Sequence, residues 1–255
     1  MVAIFLRSLV FNILFYPVFL FWAVIALPTL VMPRAALMRI ASWWARSNIF
    51  LMRVVCNIKV EFRGVEKIPK GPLIVAAKHQ SMWETISLLR FFDAPFFVLK
   101  RELTWIPLFG LFVVKANMIA IDRGAGARAL KAMMRRAAEE VRHGRQFLIF
   151  PEGTRRPVGA APHYKTGVGL IYGNCAVPCL PVALNSGLFW PRRTFLRYPG
   201  TLVVEFLDPL PPGLPRDEFL ARIEAVIEEA TGRLVAAGQA EQAELFARTP
   251  AAAKA

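Results

Sequence analysis

From Ser8 to Pro33 no residue carries a charge, a run that an ordinary water-soluble fold has difficulty burying. About 20 apolar residues are enough to cross the hydrocarbon core of a bilayer, so the length suffices. Pro17 and Pro28 each remove a helix hydrogen bond, and Tyr16 and Trp22 lie near the middle, although membrane aromatics favour the interface. The segment therefore reads either as one kinked transmembrane helix or as a re-entrant helical pair dipping into one leaflet. It is too long for the apolar region of a secretory signal and lacks a small-residue cleavage site. Arg34, Arg39, Arg46 and Arg53 follow it, against Arg7 before it. By the positive-inside rule the body of the protein then sits on the cytoplasmic face of the inner (plasma) membrane. The arginines are interleaved with Leu37, Ile40, Trp43 and Trp44, a composition suited to a helix at headgroup level. The alternative is that residues 35–55 simply pack on the domain. The expected organisation is a membrane-anchoring segment over 1–55, a domain over 56–240 and a flexible tail over 241–255.

Composition narrows the partners. Lys and Arg outnumber Asp and Glu by 32 to 18, a formal charge of +14. Such a balance suits a nucleic acid, an anionic membrane or an anionic substrate. The chain shows no nucleic-acid-binding motif, and the hydrophobic N-terminus favours the membrane bilayer as partner. Cys56, Cys175 and Cys179 have no companion Cys or His cluster, so they read as small buried thiols and no metal site is expected. The absence of a disulfide framework agrees with a reducing compartment.

After residue 56, short apolar runs alternate with helical stretches. Strands are expected at Ile58–Phe62, Leu73–Ala77, Phe96–Leu99, Met118–Ile121, Gln146–Phe150, Val177–Leu184 and Leu202–Phe206. Helices are expected from Trp83 to Leu89, over Ala127–His143 with Gly144 as its stop, and over Pro215–Ala237. The fold class is therefore α/β, a mixed and largely parallel sheet flanked by helices. In such sheets sites gather beyond the strand C-termini, where the polar clusters of this chain fall.

The first cluster contains His79 and Glu84, with four residues between them across a strand-to-helix turn. A carboxylate on the first helical turn can fix the imidazole tautomer and favour imidazolium, making His79 a general base. Taken alone the spacing fits an exposed loop histidine beside an ordinary helix N-terminal glutamate equally well. Lys100, Arg101, Arg123, Arg155, Arg156 and Lys165 recur at or after strand ends, and converging cations of this kind suit a phosphorylated ligand. Glu152 sits among them and is expected to orient Arg155 or a ligand hydroxyl. His143, near a helix C-terminus, and His163, in a Pro/Gly/Ala-rich loop, read as structural or exposed.

Lys78-His79-Gln80-Ser81-Met82-Trp83-Glu84-Thr85 resembles the His-(four residues)-Asp block of the glycerolipid acyltransferases. Phe150-Pro151-Glu152-Gly153-Thr154-Arg155 is similar to their Phe-Pro-Glu-Gly-Thr-Arg block without a mismatch. Asn117–Arg123 resembles their Gly-x-x-Phe-Ile-x-Arg block, and Val177–Ala183 their apolar, Pro-containing fourth block. The blocks occur in family order. The resemblance implies transfer of an acyl chain from acyl-CoA or acyl carrier protein to the 2-hydroxyl of lysophosphatidic acid, without a metal, a cofactor or a covalent acyl-enzyme. It implies His79 as base with Glu84 as its acid, and Arg123 and Arg155 as phosphate ligands. Glu152, Gly153 and Thr154 would shape the pocket. Two departures stand out: Glu84 replaces the family's aspartate, and Asn117 and Ala120 replace Gly and Phe.

Overall fold

The computed structural model describes residues 1–122, 124 and 126–248, and the side chains of 127, 129 and 130 are not described. Seven strands form one sheet: β1 (Ile58–Arg63), β2 (Leu73–Ala77), β3 (Pro95–Lys100), β4 (Ile119–Ile121), β5 (Gln146–Ile149), β6 (Cys179–Leu184) and β7 (Gly200–Phe206). Their order is β1-β7-β6-β2-β5-β3-β4. Every pairing is parallel except β6 with β7, so the mixed, largely parallel sheet expected from the alternating runs is present. Central β2 is buried at all five positions, as an apolar strand covered on both faces must be.

Leu73, Val75 and Ala77 face one core with α2 (Arg34–Cys56), while Ile74 and Ala76 face a second core. That second core is closed by α5 (Gly126–Arg142), α6 (Gly167–Cys175) and α8 (Arg216–Arg248). The two-residue repeat of a strand produces this division. Short α3 (Trp83–Ser87) follows β2, α4 (Phe109–Lys115) lies in the β3–β4 crossover, and α7 (Ser186–Phe189) follows β6.

The N-terminal segment is a helical hairpin. α1 (Val2–Ala26) runs through Pro17 without a break, and the chain turns between Leu27 and Pro33 into α2. Trp22 Nε1 donates to Ser47 Oγ at 3.0 Å, and the Phe19 and Trp44 rings meet at 5.6 Å. Cys56 at the far end of α2 lies against the Arg7 carbonyl. Val2–Leu30 is long and apolar enough to cross a membrane. Its base is nevertheless part of the domain, because Phe11 and Met52 belong to the same core as Val75 and Leu180. The expected division at 55/56 therefore falls inside one packed core.

A second boundary also moves. Helix α8 continues past the expected end at Ala237 to Arg248, so residues 241–248 are helical and not tail. Gly238 stays within the helix because it lies against Leu188, where a Cβ would sit 2.7 Å from Leu188 Cδ1. The Glu241 carboxylate then accepts from Thr201 N and Oγ, both at 2.8 Å. Residues 249–255 lie outside the described residues.

Truncating Phe11 to Ala should cost the whole domain about 3–5 kcal/mol, the usual loss for a buried aromatic. A denaturant midpoint in detergent that leaves the catalytic-domain transition unmoved would show that α1 is only an anchor.

Candidate active site

Alternation along β2 continues past its last residue and sends Lys78 and His79 to opposite sides. Lys78 follows Ala76 toward α8, and His79 follows Ala77 toward the other core. Phe150 lies parallel to the His79 ring at 3.9 Å and 17°, and Phe97 of β3 stacks behind Phe150 at 6.0 Å. The His79 carbonyl accepts from Arg156 N at 2.8 Å, which fixes the backbone beside the ring.

The turn from β2 into α3 is wrapped around one carboxylate. Glu84 is fully buried, and its Oε1 accepts from Gln80 N and Ser81 N at 2.7 Å each. The same oxygen lies 3.0 Å from His79 Nδ1, while Oε2 accepts from Ser186 Oγ at 3.0 Å. An ionised carboxylate only accepts, so Nδ1 is the donor in this contact, and in the neutral ring the lone pair then falls on Nε2. Nε2 has no partner among the described residues, which gives it the disposition of a base. The extra methylene of Glu84 is accommodated by this turn, and contact with His79 is made.

Glu152 makes no hydrogen bond or ion pair with Arg155 among the described residues, so the first of its two expected roles, orienting Arg155, is not seen. Its Oε1 lies 3.0 Å from Lys78 Nζ, and Lys78 also meets Glu228 of α8 at 2.6 Å. Tyr164 donates to the same Glu228 oxygen at 2.9 Å. Burial pushes the Glu152 carboxyl above the usual carboxylate range, Lys78 draws it down and Glu228 pushes it up again. Its second oxygen lies 3.5 Å from His79 N, the outer limit of a hydrogen bond.

Gly153 takes φ +64°, and a Cβ there would stand 3.1 Å from Lys165 Cε. The left-handed φ favours glycine here, and the Lys165 side chain lies across the turn, with Lys165 N bonded to the Pro151 carbonyl at 2.9 Å. Thr154 is half-buried beside it. The half-buried Arg155 has no hydrogen-bond partner for its guanidinium among the described residues. Burial lowers its pKa, Glu84 raises it, and Arg192 and Arg193 lower it again. Arg192 donates to the Arg155 carbonyl at 2.8 Å, so a cluster of three arginines forms beside the His79–Glu84 pair.

The other expected cations are placed differently. Lys100 pairs with Glu102 at 2.7 Å and Arg101 with Asp122 at 3.0 Å, all largely exposed at the end of β3. Arg123 lies outside the described residues. Sequence reasoning missed Lys78 as an anchor, Ser186, Arg192, Arg193 and Glu228. Among the described residues no group of three or more His, Cys, Asp or Glu is arranged to hold a metal. The three thiols are buried as expected, and burial raises Cys175 to about 11 and Cys179 further, far from a nucleophile's range.

An acyltransferase family model matches residues 59–185, from β1 to just beyond β6. The chain is 44% identical over 161 residues to a 1-acyl-sn-glycerol-3-phosphate acyltransferase from Pseudomonas aeruginosa. That match spans 63% of this chain and 63% of the Pseudomonas protein. It is 28% identical over 185 residues to the human 1-acyl-sn-glycerol-3-phosphate acyltransferase alpha, covering 71% of this chain and 65% of the human one. The fold matches the crystal structure of the 1-acyl-sn-glycerophosphate acyltransferase from Thermotoga maritima with a TM-score of 0.74. The two are 24% identical, and the match covers 90% of this chain and 97% of the other.

Replacing Lys78 by Met leaves Glu152 buried without its nearest cation, which should cost about 3–5 kcal/mol at neutral pH. The raised carboxyl binds its proton more tightly folded than unfolded, so the variant's stability should fall as pH rises. The deficit should shrink toward about pH 4, where carboxyls protonate in the unfolded chain too. Denaturant melts at several pH values will show it, and a pH-independent deficit would contradict the assignment.

Proposed function

The chain belongs to the acyltransferase family, and on that premise we propose that it transfers a fatty acyl chain from acyl-CoA or acyl carrier protein to the 2-hydroxyl of 1-acyl-glycerol 3-phosphate, giving phosphatidic acid. The observation that carries this reading is the His79–Glu84 pair, in which a fully buried carboxylate holds Nδ1 while Nε2 has no partner among the described residues, beside a cluster of three arginines.

The 2-hydroxyl donates its proton to His79 Nε2 as its oxygen attacks the thioester carbonyl. Glu84 holds the ring and stabilises the imidazolium that forms. The tetrahedral intermediate collapses by breaking the C–S bond, and His79 returns the proton to the departing thiolate. The products are the ester and a free thiol, and the enzyme ends in its starting state. No metal or organic cofactor enters the reaction, and the acyl donor is a co-substrate.

Arg155, with Arg192 and Arg193 close by, supplies the charge that a phosphomonoester requires, and guanidinium forks match its oxygens. By family resemblance Arg123 joins them. Lys165 lies across Gly153 within reach of the same region, and Thr154 lines it. Lys100 and Arg101 have carboxylate partners of their own and serve the rim. The hairpin, uncharged from Ser8 to Pro33, holds the domain at the cytoplasmic face of the membrane, where the acceptor resides.

His79→Ala should lower turnover by about 10²–10⁴-fold, the range for a general base. Glu84→Gln should lower it by less, because the amide oxygen still accepts from the ring. Arg155→Ala should raise the KM for 1-acyl-glycerol 3-phosphate and leave an acceptor lacking the phosphate unaffected. Radiolabelled acyl transfer with both donor types measures all three, and full turnover by His79→Ala would refute the reading.

A further inference from the structure

We infer that the β3–β4 crossover, residues 101–115, is a second membrane-contacting element that sets the reactive edge of the sheet against the lipid surface. The inference rests on the membrane reading of α1. Within this crossover Trp105 is 66% exposed, Ile106 43%, Leu111 52% and Val114 70%. Soluble monomers seldom gather so much large apolar side chain on one short stretch.

Loose folding does not account for the exposure. A Cβ on Gly110 would fall 1.9 Å from the Thr104 carbonyl, so α4 is packed tightly on the 3-10 turn before it. Val113 and Ala116 on its inner side are buried, and Ala116 packs with Ala26 and Leu37 of the hairpin. Leu111 and Val114, three residues apart, share the outer side. The helix therefore presents them on a fixed platform.

A lipid surface is the occupant that fits, because this patch continues the apolar face of the hairpin. The Phe109 ring meets Phe19 of α1 at 6.5 Å, and Val31 at the hairpin turn is 92% exposed. The Phe19–Phe109 contact joins α4 directly to α1. The indole of Trp105 has the Arg101 guanidinium over its ring at 5.8 Å, an amphipathic pair of the kind that sits at headgroup level. The charges beside it enter already paired, Lys100 with Glu102 and Arg101 with Asp122. The formal +14 of the chain adds attraction to an anionic leaflet.

The placement has a consequence for the reaction. The crossover begins after Lys100, three residues beyond Phe97 of the stacked row Phe97–Phe150–His79. An acceptor whose acyl chain remains in the leaflet can then bring its headgroup to His79 without leaving the membrane.

Nitroxide labels on Val114→Cys, Leu111→Cys, Ile13→Cys and Arg135→Cys of the full chain test this, bound to phosphatidylglycerol/phosphatidylethanolamine vesicles. The native thiols are buried, and a wild-type labelling blank corrects for them. Positions 111 and 114 should be accessible to oxygen and shielded from a nickel chelate, as position 13 should be, while 135 on α5 should show the reverse. A label at 114 in water beside one at 13 in lipid overturns the inference and leaves the anchor intact. Labels in water at both positions overturn the membrane reading as well. As a second readout, Trp105→Ser with Val114→Ser should raise the apparent KM for vesicle-borne long-chain acceptor by about tenfold. Turnover on a short-chain, water-soluble acceptor should be unchanged. Equal loss on both acceptors would mean that the substitutions damaged the fold, and the inference would fail.

Discussion

A carboxylate taken out of water costs several kcal/mol unless every lone pair finds a donor, and Glu84 is taken out completely. Four donors meet it: two backbone N–H groups from its own turn, the His79 ring and the Ser186 hydroxyl from the end of β6. The first two fix the course of the chain between β2 and α3. The third sets the tautomer of His79, and the fourth ties that turn to an element more than a hundred residues away. Relocating the carboxylate would leave Ser186 and two amides without partners in a buried place. The placement of the His79 ring thus follows from satisfying a buried charge, and the longer glutamate side chain reaches the ring within that turn.

The opposite side of β2 carries a second buried charge system of different kind. Lys78 is buried between Glu152 and Glu228, so the strand end is held from α8 as well as from the loop after β5. Buried ion pairs contribute little net stability, yet they are costly to break and therefore specific about position. Here the specified position is that of Lys78, whose neighbour in the chain is His79. Pairing across the sheet and anchoring by Lys78 leave His79 little freedom beyond rotation of its own ring, and Phe150 stacks on that.

The sheet was legible because fully buried parallel strands must be apolar runs, and β2 was read at its actual limits, Leu73–Ala77. His79, Glu84 and the Phe150–Arg155 turn were legible because each is local in the chain. What escaped was set by contacts distant in sequence. The motif places Glu152 beside Arg155 or a ligand hydroxyl, whereas the partner it meets, Lys78, lies 74 positions away. Ser186, Arg192, Arg193 and Glu228 belong to no local pattern and are recruited only when β6 and α8 pack against β2. Gly238 carries the ordinary signal for a helix end, but close packing on Leu188 overrides it. Hydropathy likewise sets α1 apart from the domain, whereas Phe11 packs into the same core as Val75 and Leu180.

That reconnection bears on the arginine cluster. Ser8 of α1 accepts a hydrogen bond from Arg197 N at 2.8 Å, and the Phe11 ring meets Trp190 at 5.2 Å. Trp190 and Arg197 bracket the stretch that carries Arg192 and Arg193. Arg197 is itself buried, which lowers its guanidinium to about 10, and it spends that charge on the carbonyls of Thr194, Phe195 and Leu196. The loop is therefore folded around Arg197 and seated on α1, and its two other arginines are delivered to Arg155 from that seat. A hairpin that only tethered the domain would need no contact with this loop. Because it makes several, the same apolar helix also seats the loop that carries Arg192 and Arg193 beside Arg155, and both belong to one packed core.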